Sequence, residues 1–443
     1  MDFSHIQPTA LWQHFAALNA VPRPSKKEER VIAFMKAFGE NLGLTTIVDQ
    51  AGNVIIKKAA TAGMEDRQTV ILQSHLDMVH QKNASTVFDF DQQGIEMYQD
   101  GDWIRAKGTT LGADNGIGVA AIMALLASTD IPHPALEAFF TIDEETGMTG
   151  AKEMDASLLS GTILLNLDTE DDDELSVGCA GGIDTNTSYT YQEVPIQNGF
   201  STLEIQLSGL LGGHSGMDID KGRGNANKWM ARLLWELSQE QHIQLLHFDG
   251  GSLRNAIPRE ATAIIAVQDT VKARTQINTF AHILKDEYTL IEPHFILKAE
   301  SIQTSLHALS DLDFKKIIAT LCGVQNGVYR MSPDIIGLVE ASSSLARVII
   351  DKGSFTTQSL QRSSVESTKK EVSMTLRCAF ENMGATVEQS GDYPGWKPNS
   401  QSLILKEMRG LYRTLFNEEP KVKACHAGLE CGLLSEKLPG VDM

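Results

Sequence analysis

Three segments of the chain are apolar almost without interruption and then break into acid or imidazole. They are TVILQSHLD, ending at His75 and Asp77; LEAFFTIDEE, ending at Glu144 and Glu145; and TILLNLDTE, reaching Asp168. Short continuous apolar runs fit strands covered on both faces, as in a parallel sheet. GADNGIGVAAIMALLAS places Ile117, Ala120, Ala121 and Leu125 near helical spacing, so a helix is expected after Asp114. Upstream, Ser25 and Glu28 have the spacing of a capping box opening an amphipathic helix that stops near Gly43. TTIVDQAGNVIIKKA predicts a hairpin turning at Gly52-Asn53. Alternating strands and helices argue for an α/β domain with a mainly parallel central sheet.

From about residue 186 the pattern changes. STLEIQLSG, EATAIIAVQ and HFILKAES alternate polar and apolar positions, as half-exposed strands do, and NKWMARLLWELSQE and LDFKKIIATLC are helical. The expectation is an α+β domain inserted into the first. The predicted division is 1–185 for the first part of the catalytic domain, 186–385 for the insert, and 386–443 for the return. The return holds an amphipathic helix, QSLILKEMRGLYRTLF, and a strand entering a helix, KVKACHAGLECGLL. No repeat at a solenoid period is visible.

Composition narrows the function. Thirty-eight basic against 57 acidic residues give a formal charge of −19, which disfavours nucleic acid and anionic membranes as partners and suits cations. No apolar run is long enough to span a bilayer and the N-terminus lacks a signal-peptide pattern. Five scattered cysteines without a C-x-x-C pair fit a reducing compartment, so a cytoplasmic location is expected. The acidic run 170–174 lacks the spacing of a calcium loop and is expected to face solvent.

In a parallel sheet, ligands bind beyond the carboxyl ends of the strands. Three such ends carry His75, Glu144 with Glu145, and Asp168, and Asp114 lies in a glycine-bounded loop before a helix. One imidazole with several carboxylates suits Zn²⁺, with Mn²⁺ or Co²⁺ as alternatives. Two ions roughly 3.5–4 Å apart need a bridging acid and flanking ligands. His75, Asp114, Glu145 and Asp168 nearly fill such a set. Glu144 is then left to act as a general base, and Asp77 to orient the His75 imidazole.

SHLDMVHQ, GTTLGADNGIG, TIDEETGMTGA, LNLDTED and GGHSGMDI together resemble the signature set of the di-zinc metallopeptidases that include carboxypeptidase G and the aminoacylases. VGCAGG, RNAIPREA, YPGW and HAGLECG resemble, more narrowly, the cytosolic aminoacyl-histidine dipeptidases, over nearly the whole chain. The resemblance implies two zinc ions per chain, with His75 and Asp168 on one, Glu145 on the other and Asp114 bridging. It implies that Glu144 is the general base and that Asp77 orients His75, which leaves Asp143 as structural or merely solvated. It assigns oxyanion stabilisation to His214 and makes Asn255, which sits in a distinctive motif, and Arg254 and Arg362, whose match is looser, candidates for holding a substrate carboxylate. Glu430 becomes a candidate partner for a free substrate α-amine. The insert is expected to serve as lid and homodimer contact, and the substrate to be an Xaa-His dipeptide such as carnosine.

The chain stops at KLPGVDM, where the family continues with a strand, a Gly-Pro turn carrying the remaining histidine ligand of the Glu145 metal, and a closing helix. No residue here matches that histidine; His426 belongs to another motif. Two rival readings follow: a broader metal-dependent amidohydrolase of N-acyl amino acids, and a truncated, catalytically silent family member.

Overall fold

The computed structural model describes residues 3, 5–169 and 171–443. The chain divides into two compact units. Unit 1 comprises Met1–Val177, Asn399–Lys423 and Glu430–Met443; unit 2 comprises Gly178–Pro398 and Ala424–Leu429. The first boundary falls earlier than the expected 185/186, and the second later than 385/386. The reason is sheet membership: strands 181–190 and 386–393 both pair within the large sheet of unit 2.

Unit 1 opens with helices α1 (Thr9–Asn19) and α2 (Glu29–Asn41). Its sheet contains β1 (Thr45–Val48), β2 (Val54–Lys58), β3 (Val70–His75), β4 (Leu136–Thr141) and β5 (Ile163–Asn166), in the order β1-β2-β4-β3-β5. β3 runs parallel to β4 and β5, whereas the β1–β2 hairpin adds antiparallel to β4. Helix α3 (Ala113–Ala127) covers one face, where Val119, Ile122 and Met123 meet Leu72, Ala138 and Phe140. Ile55, Ile71, Phe139 and Leu164 fill the other face. Coverage on both sides is why β3 and β4 read as unbroken apolar runs.

The expected capping box does not form. Glu28 is the residue before α2 and no side chain caps it. Ser25 instead donates its hydroxyl to Asp77 Oδ2 at 2.8 Å, so the motif's serine serves the strand ends rather than the helix.

Unit 2 contains β6 (Gly181–Thr190), β7 (Ser201–Ser208), α4 (Ala226–Glu240), β8 (Ile243–Gly250), β9 (Ala261–Val267), α5 (Thr270–Glu287) and β10 (Ile296–Ser301). These are followed by α6 (Asp311–Gly323), β11 (Gly327–Met331), β12 (Val339–Asp351), β13 (Ser354–Ser363), α7 (Glu366–Met383) and β14 (Thr386–Tyr393). The nine-stranded sheet has the order β10-β7-β9-β8-β12-β13-β6-β14, with β11 on β12. This order conceals a duplication. The segment β7-α4-β8-β9-α5-β10 is a β-α-β-β-α-β module with strand order 4-1-3-2. The set β6-α6-β12-β13-α7-β14 has the same connectivity and the mirror order 2-3-1-4. The two modules join through their second strands, β8 and β12, where Phe248 faces Ile350 and Gly250 faces Val348 in antiparallel register. The first module is inserted between the first strand and first helix of the second.

The chain returns to unit 1 in α8 (Leu403–Phe416), which buries none of its side chains, and α9 (Glu430–Lys437), whose Leu433 and Leu434 pack on Ile71, Phe139 and Leu164. Asp442 bonds through its backbone to Thr162 and Leu164 at the β5 edge. In the acidic run, Asp173 and Glu174 pair with Lys421 and Lys423; Glu170 lies outside the described residues.

Candidate active site

The carboxyl ends of β3, β4 and β5 and the start of α3 converge. His75 is the last residue of β3 and fully buried. Its Nε2 lies 3.0 Å from Asp114 Oδ1 and 3.8 Å from Asp168 Oδ1. Donor atoms of His75, Asp114 and Asp168 lie within 4.8 Å of one another, and so do those of His75, Glu144 and Glu145. Asp114 and Asn115 have non-helical dihedrals within the span of α3. Asn115 donates to Asp168 Oδ1 at 2.7 Å and to Leu167 O at 2.9 Å, tying the loop to the end of β5. A side chain at Gly118 would collide with Asn115, Ser74 and Leu167, so this glycine permits the close approach of helix and strand ends.

Asp77 organises the other side. Its Oδ1 lies 3.2 Å from His75 Nδ1, close enough for charge pairing but poorly aligned for a hydrogen bond. Oδ1 also accepts from the Glu144 backbone N–H at 3.0 Å, and Oδ2 from that of Glu145 at 3.2 Å. One carboxylate thus fixes the imidazole and the backbone of both glutamates. Asp143 is buried, pairs with Lys26 and accepts from the hydroxyls of Thr146 and Thr149. Among the three adjacent acids it is the structural one.

The electrostatics fit a cation. Burial disfavours charge on His75, yet Asp114 and Asp77 pull its pKa up to about 11. The imidazole therefore holds a proton in a place where the surrounding acids demand positive charge. Burial raises the pKa of Asp168 and Glu145, the latter helped by Asp114. Burial and the neighbouring Glu430 push Glu144 up to about 8. Carboxylates so reluctant to ionise are the groups a divalent ion would relieve. No sequence motif marks Arg23. It is fully buried, donates to the carbonyls of Leu76 and Asp77 at 3.0 and 3.1 Å, and supports the loop after β3 from behind.

Unit 2 holds a second cluster. His214 Nδ1 accepts the backbone N–H groups of Gly216 and Met217 at 3.2 and 3.0 Å. The ring hydrogen is therefore on Nε2. Burial and Arg362 lower the His214 pKa, which keeps the ring neutral. Nε2 lies 3.4 Å from Arg362 Nη2. Both nitrogens are donors, so this contact is not a hydrogen bond; two donors converge where an acceptor is called for. Arg362 is buried, Tyr393 Oη accepts from its Nη1 at 2.9 Å, and its Nε has no partner among the described residues. His426, also buried, bonds Ser342 Oγ through Nε2 at 2.7 Å. A side chain at Gly216 would strike the His426 carbonyl and crowd Arg362 Nε. Asn255 lies beside this cluster: its carbonyl accepts from Ser215 N at 2.8 Å, while its side chain is exposed. Arg254 pairs with Asp184 at 3.3 Å. In the sequence, Tyr393 and His426 are marked only by the motifs YPGW and HAGLECG around them.

The position of Glu430 is at odds with the amine-binding role expected of it. It is 2% exposed, and its Oε2 accepts from Gln73 Nε2 and Thr141 Oγ1, both at 2.7 Å.

An imidazole and carboxylates gathered at strand ends, beside a half-buried glutamate whose pKa is pushed up to about 8, are the apparatus of a metal-assisted hydrolase. The comparisons carry this further. Residues 205–290, spanning most of the first module, match the family model of the peptidase dimerisation domain of M20 enzymes. The chain is 41% identical to the cytosol non-specific dipeptidase of Escherichia coli (strain K12) over 444 aligned positions, covering 100% of this chain and 92% of that protein. The crystal structure of aminoacylhistidine dipeptidase from Vibrio alginolyticus superposes with a TM-score of 0.96 at 43% identity, covering 100% of this chain and 91% of that one. An aminopeptidase structure from Bacillus cereus, at 16% identity and a TM-score of 0.52 over 97% of this chain and 87% of that one, shares the fold. The chain belongs to the M20 metallopeptidase family, among its dipeptidases.

Proposed function

We propose that this chain hydrolyses dipeptides, with Xaa-His dipeptides such as carnosine as preferred substrates, and that it does so with two zinc ions. The observation that carries the reading is the convergence of His75, Asp114, Glu145 and Asp168 around strand ends, with Glu144 at their side. The names of the Escherichia coli and Vibrio relatives support the substrate class. His75 and Asp168 would hold one ion and Glu145 the other, with Asp114 between them. When bound, the ions supply Lewis acidity toward water and the peptide carbonyl. Glu144, with its proton affinity raised by burial, takes a proton from water and returns it to the leaving amine. Asp77 holds the His75 ring by its Nδ1 side, leaving Nε2 toward Asp114 and Asp168.

The cluster in unit 2 fits an anionic acceptor. Among the described residues, the Nε2–H of His214 and Nη2 of Arg362 converge with no acceptor between them, and Arg362 Nε has no partner; a carboxylate or a developing oxyanion satisfies both side chains. We assign Arg362 to the substrate carboxylate and His214 to the oxyanion, with Asn255 as a further contact. The dimerisation-domain match supports a homodimer formed through unit 2, which light scattering of the purified protein checks. A cytoplasmic location agrees with the relative's name; no described helix is long and apolar enough to cross a membrane.

The test is carnosine hydrolysis by the purified chain with added Zn²⁺, with metal content measured per chain. Turnover that Glu144→Ala abolishes, with near two ions bound, supports the proposal. Among the described residues, the donor set containing Glu145 has no imidazole besides His75, which favours one second reading: a chain that fills a single metal position. One ion and no turnover would establish that reading instead.

A further inference from the structure

The polarity of one sheet face changes along its length. Ile71, Phe139 and Leu164 form an apolar floor under α9. One step further along the same strands stand Gln73, Thr141 and Asn166, and then the residues assigned to the metal. Gln73 is in register with Asn166, and Thr141 with His75. Glu430, the first residue of α9, lies against this polar row. Gln73 and Thr141 both donate to its Oε2 at 2.7 Å, and Gln73 Nε2 is 3.2 Å from Thr141 Oγ1. Asn166 donates to Gln73 Oε1, and its own Oδ1 accepts the backbone N–H of Asp168 at 2.9 Å. One chain of hydrogen bonds therefore runs from α9 across β4, β3 and β5 to the backbone of Asp168.

We infer that Glu430 is a positioning residue that locks the ends of β3, β4 and β5 from beneath, rather than a contact for the substrate amine. A carboxylate ordinarily avoids full burial. The partial positive charge of the α9 N-terminus and two short side-chain donors to Oε2 meet part of the cost here, while Oε1 has no partner among the described residues and burial still pushes the pKa up to about 7. Both bonds go to strand side chains and none to α9 itself, so helix capping does not account for the residue. A shared acceptor for two strands fixes their relative offset, and relay through Gln73 to Asn166 adds the third. Metal sites depend on such supports: loss of an outer partner typically weakens metal affinity or activity about 10–100-fold.

The inference rests on the reading that His75, Asp114, Glu145 and Asp168 hold zinc. Its test is Zn²⁺ affinity by competition with a chromogenic chelator, for wild type, Glu430→Ala, Glu430→Gln and Thr141→Val, together with KM for carnosine. Glu430→Ala should weaken Zn²⁺ binding about 10–100-fold. Glu430→Gln, which keeps an acceptor for both donors, should restore most of it, and neither should raise KM selectively. Thr141→Val keeps the strand and removes one donor, so it should weaken binding several-fold even if Glu430→Ala fails to fold. Zn²⁺ affinity unchanged in Thr141→Val and in any folded Glu430 variant, or a raised KM alone, would overturn the inference in favour of the amine contact. A wild type that binds no Zn²⁺ would instead overturn the metal reading itself, and the inference with it.

Discussion

Asp77 shows how much one residue can organise. Its two oxygens face the His75 ring, the Ser25 hydroxyl and the backbone of both Glu144 and Glu145. Asp77→Ala would leave the imidazole unoriented and two backbone N–H groups without their acceptor. The expected outcome is a loss of Zn²⁺ affinity of about 10–100-fold, measurable by chelator competition. Glu144→Gln should do the opposite: it keeps the metal and lowers kcat by about 10²–10⁴-fold, the usual contribution of a general base. If Glu144→Gln lost the metal and kept its rate per bound ion, the roles of the two glutamates would have to be exchanged. These residues were legible because each ends an apolar run or sits in a glycine-bounded loop, so its place on the sheet follows from pattern. Arg23, Tyr393 and His426 were not, because the contacts that place them at the site, to Leu76 and Asp77, to Arg362 and to Ser342, lie 53 and 54, 31 and 84 residues away and no local pattern announces them. For Glu430 the helix is legible and the surroundings of the side chain are not. Sequence shows that a helix begins there, but not that its first side chain turns under the sheet.

At the scale of elements, the segment 424–429 is docked on β12 through one imidazole. His426 bonds Ser342, and burial, with Arg362 and His214 nearby, pushes its pKa down to about 3. Of these two neighbours, Arg362 is buried and His214 half-buried. Below the ordinary histidine value of about 6.5 the unfolded chain takes a proton that the folded chain refuses until about pH 3. The unfolded state then binds more protons, so stability falls with falling pH, by about 1.4 kcal/mol per unit from this group. His426→Gln removes the titration while keeping an acceptor for Ser342. The variant should be less stable than wild type at pH 7.5, and urea midpoints should bring the two together as pH falls to 5, closing the gap by about 2 kcal/mol. A gap constant with pH would mean that the imidazole is solvated rather than buried. The same strands carry the proposed carboxylate grip. Arg362→Lys, which loses the planar fork, should raise KM for a dipeptide at least about tenfold. KM for the corresponding dipeptide amide should be nearly unchanged. Most elements of unit 2 were readable from their period, but the duplication was not. The first strand of the second module, β6, is separated from its helix α6 by the whole of the first module, so neither copy is contiguous as a simple repeat.

For the whole molecule, the surplus of acid has a consequence that the fold localises. The formal charge is −19, and in unit 1 several carboxylates are held within a few ångströms of one imidazole with their ionisation suppressed by burial. Folding without a cation must bear that repulsion, and a cation that binds only the folded state relieves it. At a free concentration of 100 times its dissociation constant, an ion contributes about 2.7 kcal/mol to stability. For a unit of roughly 200 residues, that corresponds to a shift of about 5–10 °C in Tm. Stripping metal with a chelator should therefore lower Tm by that order, and restoring Zn²⁺ should return it. In hydrogen exchange, the lost protection should appear at residues 73–77, 113–116, 141–146 and 166–168, where the ligand-bearing ends meet, while β8, β9 and β12 of unit 2 exchange as before. His75→Ala should abolish the response to Zn²⁺ while retaining the fold, because the acids it leaves behind can protonate. A chelator effect that survives His75→Ala, or that spreads evenly over both units, would place the stabilising cation elsewhere.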